Sequence, residues 1–105
     1  GMPGNMNNLM KQAQKMQQQM AETTKALEEK TYEATAGGGV VSVTVSGKKE
    51  VTAIKIAEEV VDPDDIEMLE DLIMAATNEA FRAMESDSQA QLSKLTGGLG
   101  GGFGF

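Results

Sequence analysis

The chain contains no cysteine, no histidine and no tryptophan. Without cysteine there can be no disulfide and no thiolate metal site, which is neutral between cellular compartments. Without histidine the commonest general base and the imidazole metal ligand are gone. A serine nucleophile would then need lysine or carboxylate activation, and no serine sits in a nucleophile-elbow setting. The expectation is a protein that is not an enzyme and holds no cofactor or metal. Aromatic residues make up only 4% of the chain, so the core must be built from Val, Ile, Leu, Met and Ala. Such a core is thin for 105 residues, which favours oligomerisation. No run of 18 apolar residues occurs and no apolar segment of signal-peptide type follows Met2, so the expectation is a cytoplasmic protein that neither spans nor enters a membrane. Gly1 before Met2 reads as a scar of tag removal.

What charge there is lies unevenly. The formal net charge is −7. Through Lys55, seven lysines face five glutamates, a net of +2; from Ile56 onward Arg82 and Lys94 face eleven acids, a net of −9. Bulk charge therefore argues against polyanion binding, and any such binding requires a local face.

Met6, Leu9, Ala13, Met16, Met20, Thr23 and Leu27 recur at spacings of 3 and 4, the heptad seam of a coiled-coil helix. A helix from Asn5 to Lys30, with Asn5 as its cap, would be roughly 40 Å long, more than this chain's core can cover. Its apolar stripe needs the second long helix, another copy of the chain, or both. Lys11, Lys15, Gln18, Glu22 and Lys25 fall opposite the seam, with Gln14 at the edge of that group. The plain reading is a solvated face with i,i+4 support; the functional reading is a basic stripe broken by Glu22.

From Thr31 the period changes to two. Thr31 to Ala36 reads as a short strand, Gly37-Gly38-Gly39 as a flexible joint, and Val41, Val43 and Val45 as the dry face of a second strand. Gly47-Lys48-Lys49-Glu50 turns the chain into a third strand, Val51 to Ile56. Simple alternation puts Thr52, Ile54 and Ile56 on one side and Val51, Ala53 and Lys55 on the other. The three strands make a meander with open edges that a second protomer could pair with or cover.

Asp62 is the expected cap of the second helix, with Pro63 at its first position. Ile66, Leu69, Ile73, Ala76, Ala80 and Ala83 give it an apolar stripe, and Thr96-Gly97-Gly98 the expected stop. The acids Asp62, Asp64, Asp65, Glu67, Glu70 and Asp71 lack the ligand order of a calcium loop and suit helix capping. Gly37-Gly38-Gly39 leads into a strand and not a helix N-terminus, which argues against a phosphate cradle. The expected organisation is a loose segment over 1–4, one domain over 5–96, and a flexible tail over 97–105 rich in Gly and Phe.

Three stretches together carry a resemblance. Asn8-Leu9-Met10-Lys11-Gln12-Ala13-Gln14-Lys15-Met16 lies in the first helix and Gly39-Val40-Val41-Ser42-Val43-Thr44-Val45-Ser46-Gly47 in the hairpin. Glu67-Met68-Leu69-Glu70-Asp71-Leu72-Ile73-Met74-Ala75-Ala76-Thr77-Asn78-Glu79-Ala80 opens the second long helix. In this order the chain resembles the YbaB/EbfC family of bacterial nucleoid-associated DNA-binding proteins over roughly residues 5 to 98. The resemblance implies an α+β fold of long helix, three-stranded antiparallel meander and long helix. It also implies a homodimer joined through the strand region whose projecting helices grip double-stranded DNA in the nucleoid with little sequence preference. The DNA-contacting positions it implies are Lys11, Lys15 and Arg82; the stripe geometry adds Gln14 and Lys25. Arg82 has Glu79, Glu85 and Asp87 for neighbours. Two long helices flanking a hairpin also describe a prefoldin-like holdase or protein-interaction module without DNA binding, and that alternative stays open on the residues alone.

Overall fold

The computed structural model describes residues 3–100, and side chains over 6–97. A helix, α1 (Pro3–Glu28), leads into three strands, β1 (Thr31–Ala36), β2 (Val41–Ser46) and β3 (Val51–Ile56), then a single 3-10 turn (Glu58–Val60) and a long helix, α2 (Ile66–Gly100). The strands form one antiparallel sheet in the order β1-β2-β3. The fold is α+β, as expected, and elongated, with extents of 77 × 27 × 16 Å.

Alternation places the core. Val41, Val43 and Val45 are fully buried under α2, which supplies Ala76, Ala80 and Met84 at successive four-residue steps. The two alanines let the helix axis approach the sheet, and Leu69, Leu72 and Ile73 close the flanks. On β1, Tyr32, Ala34 and Ala36 pair with Val45, Val43 and Val41 and share that covered face. At about 1.5–3 kcal/mol per buried valine, β2 anchors the fold.

The helix α2 lies across β1 and β2 and leaves β3 uncovered, so every residue of β3 is exposed. Here the structure corrects the alternation read from sequence. A β-bulge in the β2–β3 ladder, between Thr44 and Val45, pairs Val51 with Val45, while Ile54 pairs with Val43 and Ile56 with Val41. The extra residue shifts Val51 onto the same side as Ile54 and Ile56. All three therefore stand on the α2 side of the sheet as an uncovered apolar edge, 44%, 47% and 38% exposed.

Element ends also differ from expectation. The first helix starts at Pro3, where the missing N–H has no helical partner to lose. It ends at Glu28, because Glu29 and Lys30 donate to the carbonyls of Ala26 and Leu27, three residues back, which tightens the last turn. The second long helix starts at Ile66, not Pro63. The Asp62 carboxylate accepts the Asp64 N–H at 2.9 Å and so forms a turn, and Asp65 caps the helix by accepting the Met68 N–H at 3.2 Å. The helix runs through the expected stop at Thr96-Gly97-Gly98. Thr96 Oγ1 donates back to the carbonyls of Leu92 and Ser93, at 3.4 and 3.3 Å, which is compatible with helix. The remainder of the expected tail, and residues 1–2, lie outside the described residues.

Gly37, Gly38 and Gly39 all have positive φ, and Gly37 packs so close to Val40 and Leu72 that a Cβ would meet their side chains at 2.8 and 3.0 Å. The glycines form a tight turn between β1 and β2 rather than a loose joint. At the other end of the sheet, Gly47 abuts the end of α1. Its N–H donates to the Lys30 carbonyl at 2.9 Å, and Leu27 is buried beside it.

Candidate nucleic-acid interface

Beyond Leu27, α1 leaves the sheet and runs alongside the C-terminal half of α2. The facing residues are half-buried: Met16 and Thr23 on α1, Ser88, Gln91, Leu92 and Leu95 on α2. The heptad seam of α1 therefore finds its partner in the second long helix over its C-terminal half. The N-terminal half projects, leaving Met6, Leu9 and Met10 at 65%, 63% and 59% exposure.

With the seam turned inward, the opposite face of α1 points to solvent. Lys11, Gln14, Lys15 and Lys25 are all exposed there. Among the described residues none of these lysines has a carboxylate within 4.0 Å, and Glu22, which interrupts the stripe, accepts from Gln18 Nε2 at 3.4 Å. Lys11 and Lys15 are one turn apart, about 6 Å along the helix, with Lys25 about 15 Å further on. Lys25 lies in the last turn, where the helix dipole favours a cation.

Arg82 is not brought to this face. It sits on the outer side of α2 above the sheet, on the order of 30 Å along the helix axis from Lys11. Its Nε donates to Glu79 Oε2 at 3.3 Å, one turn back on the same helix. That pair is well exposed and weak, but it sets a negative charge against the guanidinium.

One cluster that sequence reasoning missed sets the direction of the arm. Asp87 accepts hydrogen bonds from Tyr32 Oη at 2.6 Å, Lys30 Nζ at 2.9 Å and Gln91 Nε2 at 3.3 Å. It thus ties the α1–β1 junction to the middle of α2. The hydrogen bond from Tyr32, then those from Lys30 and Gln91, hold the Asp87 carboxyl down at about 2. Burial first, then the bond to Asp87, pushes the Tyr32 hydroxyl up to about 12. Gln91 stands one helical turn from Asp87, but Lys30 and Tyr32 are 57 and 55 positions away and follow no helical or strand period with it, so only their being charged or hydroxylated hinted at pairing.

The arrangement is that of a binding scaffold. Three of the cations without an ion-pair partner among the described residues, Lys11, Lys15 and Lys25, follow one helix face instead of converging in a pocket, and the sheet and α2 hold that helix as an arm. The sequence pattern of the YbaB/EbfC DNA-binding family matches residues 2–99, and the chain belongs to that family. It is 74% identical to a nucleoid-associated protein of Agathobacter rectalis over 97% of this chain and 90% of the relative. A nucleoid-associated protein of Lachnoclostridium phytofermentans is 69% identical over 98% of this chain and 88% of that one. The fold is shared with the crystal structure of an uncharacterized protein, HP0035 from Helicobacter pylori, at a TM-score of 0.66 and 22% identity, over 78% of this chain and 86% of that one.

Proposed function

We propose that this protein binds double-stranded DNA as a homodimer in the bacterial nucleoid, through the outward face of α1 and with little sequence preference. Besides family membership, the observation that carries the reading is the set of lysines on α1, Lys11, Lys15 and Lys25, that have no ion-pair partner among the described residues, in a chain that is otherwise acidic. Lysine contacts to phosphate set affinity and carry no sequence information; Gln14 adds a hydrogen-bonding group to backbone or base edges. Arg82, partly neutralised by Glu79, contributes less. Dimerisation is supported by the uncovered apolar edge of Val51, Ile54 and Ile56. A second copy on that edge would bury it and double the number of arms.

The test is an electrophoretic shift titration with a short duplex at two salt concentrations. If a dimer neutralises about six phosphates, affinity falls on the order of 10³-fold between 50 and 200 mM salt. Changing Lys11 and Lys15 together to Glu removes the shift without altering the subunit mass, and Arg82→Ala weakens it only slightly. Salt-insensitive binding, or full binding by the double variant, rejects the α1 face as the site.

A further inference from the structure

The acids of this chain avoid the projecting half of α1. Residues 1–21 hold Lys11 and Lys15 and no acid, whereas the rest of the chain sets seven cations against sixteen acids, a net of −9. Long-range repulsion from that acidic body confines a polyanion to the arm. Besides the two lysines, the outward face of the arm presents carboxamides. At 100° per residue, Asn7, Gln14 and Gln18 fall within a sector about 40° wide, and Lys11 and Lys15 fill the adjoining one. All five are exposed. Gln18 donates to Glu22 Oε1 at 3.4 Å, and no such pairing is found for Asn7 or Gln14 among the described residues.

Size decides which groove of a duplex such a helix can enter. An α-helix with its side chains is about 10–12 Å across, which fits the ~12 Å major groove of B-DNA and not the ~6 Å minor groove. The packing of α1 on α2 lies on the opposite side, at Met16 and Thr23, so the outward face leads. A carboxamide carries one donor and one acceptor side by side, which matches N7 and N6–H of adenine in the major groove. Guanine offers two acceptors there and suits a cation instead. Asn7 and Gln14 are two helical turns apart, about 10.5 Å, which corresponds to about three base-pair steps.

Resting on the reading of α1 as the DNA-binding arm, we propose that its outward face enters the major groove and that Asn7 and Gln14 select adenine there. In each contact the amide N–H donates to adenine N7 and the amide carbonyl accepts from N6–H. Lys11 and Lys15 lie against one phosphate wall of the groove and supply affinity. The outcome is a preference for A·T composition within otherwise loose binding. Phosphate contacts alone would hold A·T and G·C duplexes alike.

The test compares three duplexes of equal length in the same shift titration. One carries adenines about three base pairs apart, one is entirely G·C, and the third is the first with every adenine replaced by 7-deazaadenine, which lacks the N7 acceptor. The protein is expected to bind the adenine duplex about tenfold more tightly than the G·C duplex, and to lose most of that advantage on 7-deazaadenine. In the double variant Asn7→Ala/Gln14→Ala the ratio falls to about one, with helix content held because alanine is a good helix former. Equal affinity of the parent for all three duplexes overturns the proposal while leaving DNA binding by the arm in place. A preference that survives 7-deazaadenine, or survives the double variant, overturns it too, by moving the readout to the minor groove or to other residues. Binding to none of the three at low salt overturns the arm as a DNA site and the adenine contacts with it.

Discussion

Replacing Gly47 by Ala tests how the arm is joined to the sheet. A Cβ at this position would lie 1.8 Å from the Leu27 carbonyl oxygen, 2.6 Å from its carbon and 2.9 Å from Glu28 Cα. All three are backbone atoms at the end of α1, so no side-chain rotation relieves the clash. The helix end must retreat by more than an ångström. That movement strains the bond from the Gly47 N–H to the Lys30 carbonyl and unseats Leu27, which is 7% exposed. Overpacking of this kind costs about 1–3 kcal/mol and the weakened hydrogen bond about 1 more, for a total of roughly 2–4 kcal/mol. In a domain of this size that lowers Tm by on the order of 10–25 °C. The assay is thermal and urea unfolding at matched protein concentration, since association would contribute to apparent stability. Gly97→Ala is the control. Nothing lies within 4 Å of its Cβ and it is helical, so alanine is expected to be neutral or to stabilise by up to about 1 kcal/mol. A Gly47→Ala protein within about 0.5 kcal/mol of the parent would refute the close approach of the hairpin to α1.

Val43→Ala, at a fully buried site under Ala76 and Ala80, is expected to cost about 2–3 kcal/mol in urea unfolding, whereas Thr44→Ala on the open face of the same strand costs well under 1. Ile54→Lys, on the uncovered side of β3, is expected to leave each subunit folded but convert a dimer to monomers by light scattering; an unchanged mass would move the interface elsewhere. The Asp87 cluster makes stability depend on pH at both extremes. Asp87 is depressed from 3.8 to about 2, so its contribution is complete above pH 4 and lost as pH falls toward 2. Tyr32 is raised from 10.0 to about 12, so its contribution is complete below pH 10 and lost as pH rises toward 12. Asp87→Asn is expected to flatten the acid limb of the stability curve and Tyr32→Phe the alkaline limb, both read from unfolding midpoints across pH.

Local order in this molecule was legible because local periods encode it. The spacings of 3 and 4 from Met6 to Leu27 specify a long amphipathic helix, and the alternation of Val41, Val43 and Val45 with Ser42, Thr44 and Ser46 specifies a half-buried strand. The same periodicity put Lys11, Gln14, Lys15 and Lys25 away from the seam, since a residue's angle on a helix follows from its number alone. Ends were less legible. Whether Asp62 or Asp65 caps α2 depends on which carboxylate the turn consumes first, and both have the right chemistry.

Only the tertiary structure decided the rest, because it turns on contacts between residues distant in sequence. The bulge that brings Val51 onto the side of Ile54 and Ile56 is set by pairing with β2, and it converts an unremarkable strand into an apolar edge. Arg82 is drawn to Glu79 and stands over the sheet, far from the lysines with which sequence grouped it. Asp87 gathers Lys30 from the α1–β1 junction, Tyr32 from β1 and Gln91 from its own helix, and thereby aims α1. The chain's own pattern sufficed to make two amphipathic helices and a meander. How far one helix outruns the other, and so what is left uncovered, follows from where they are clamped together.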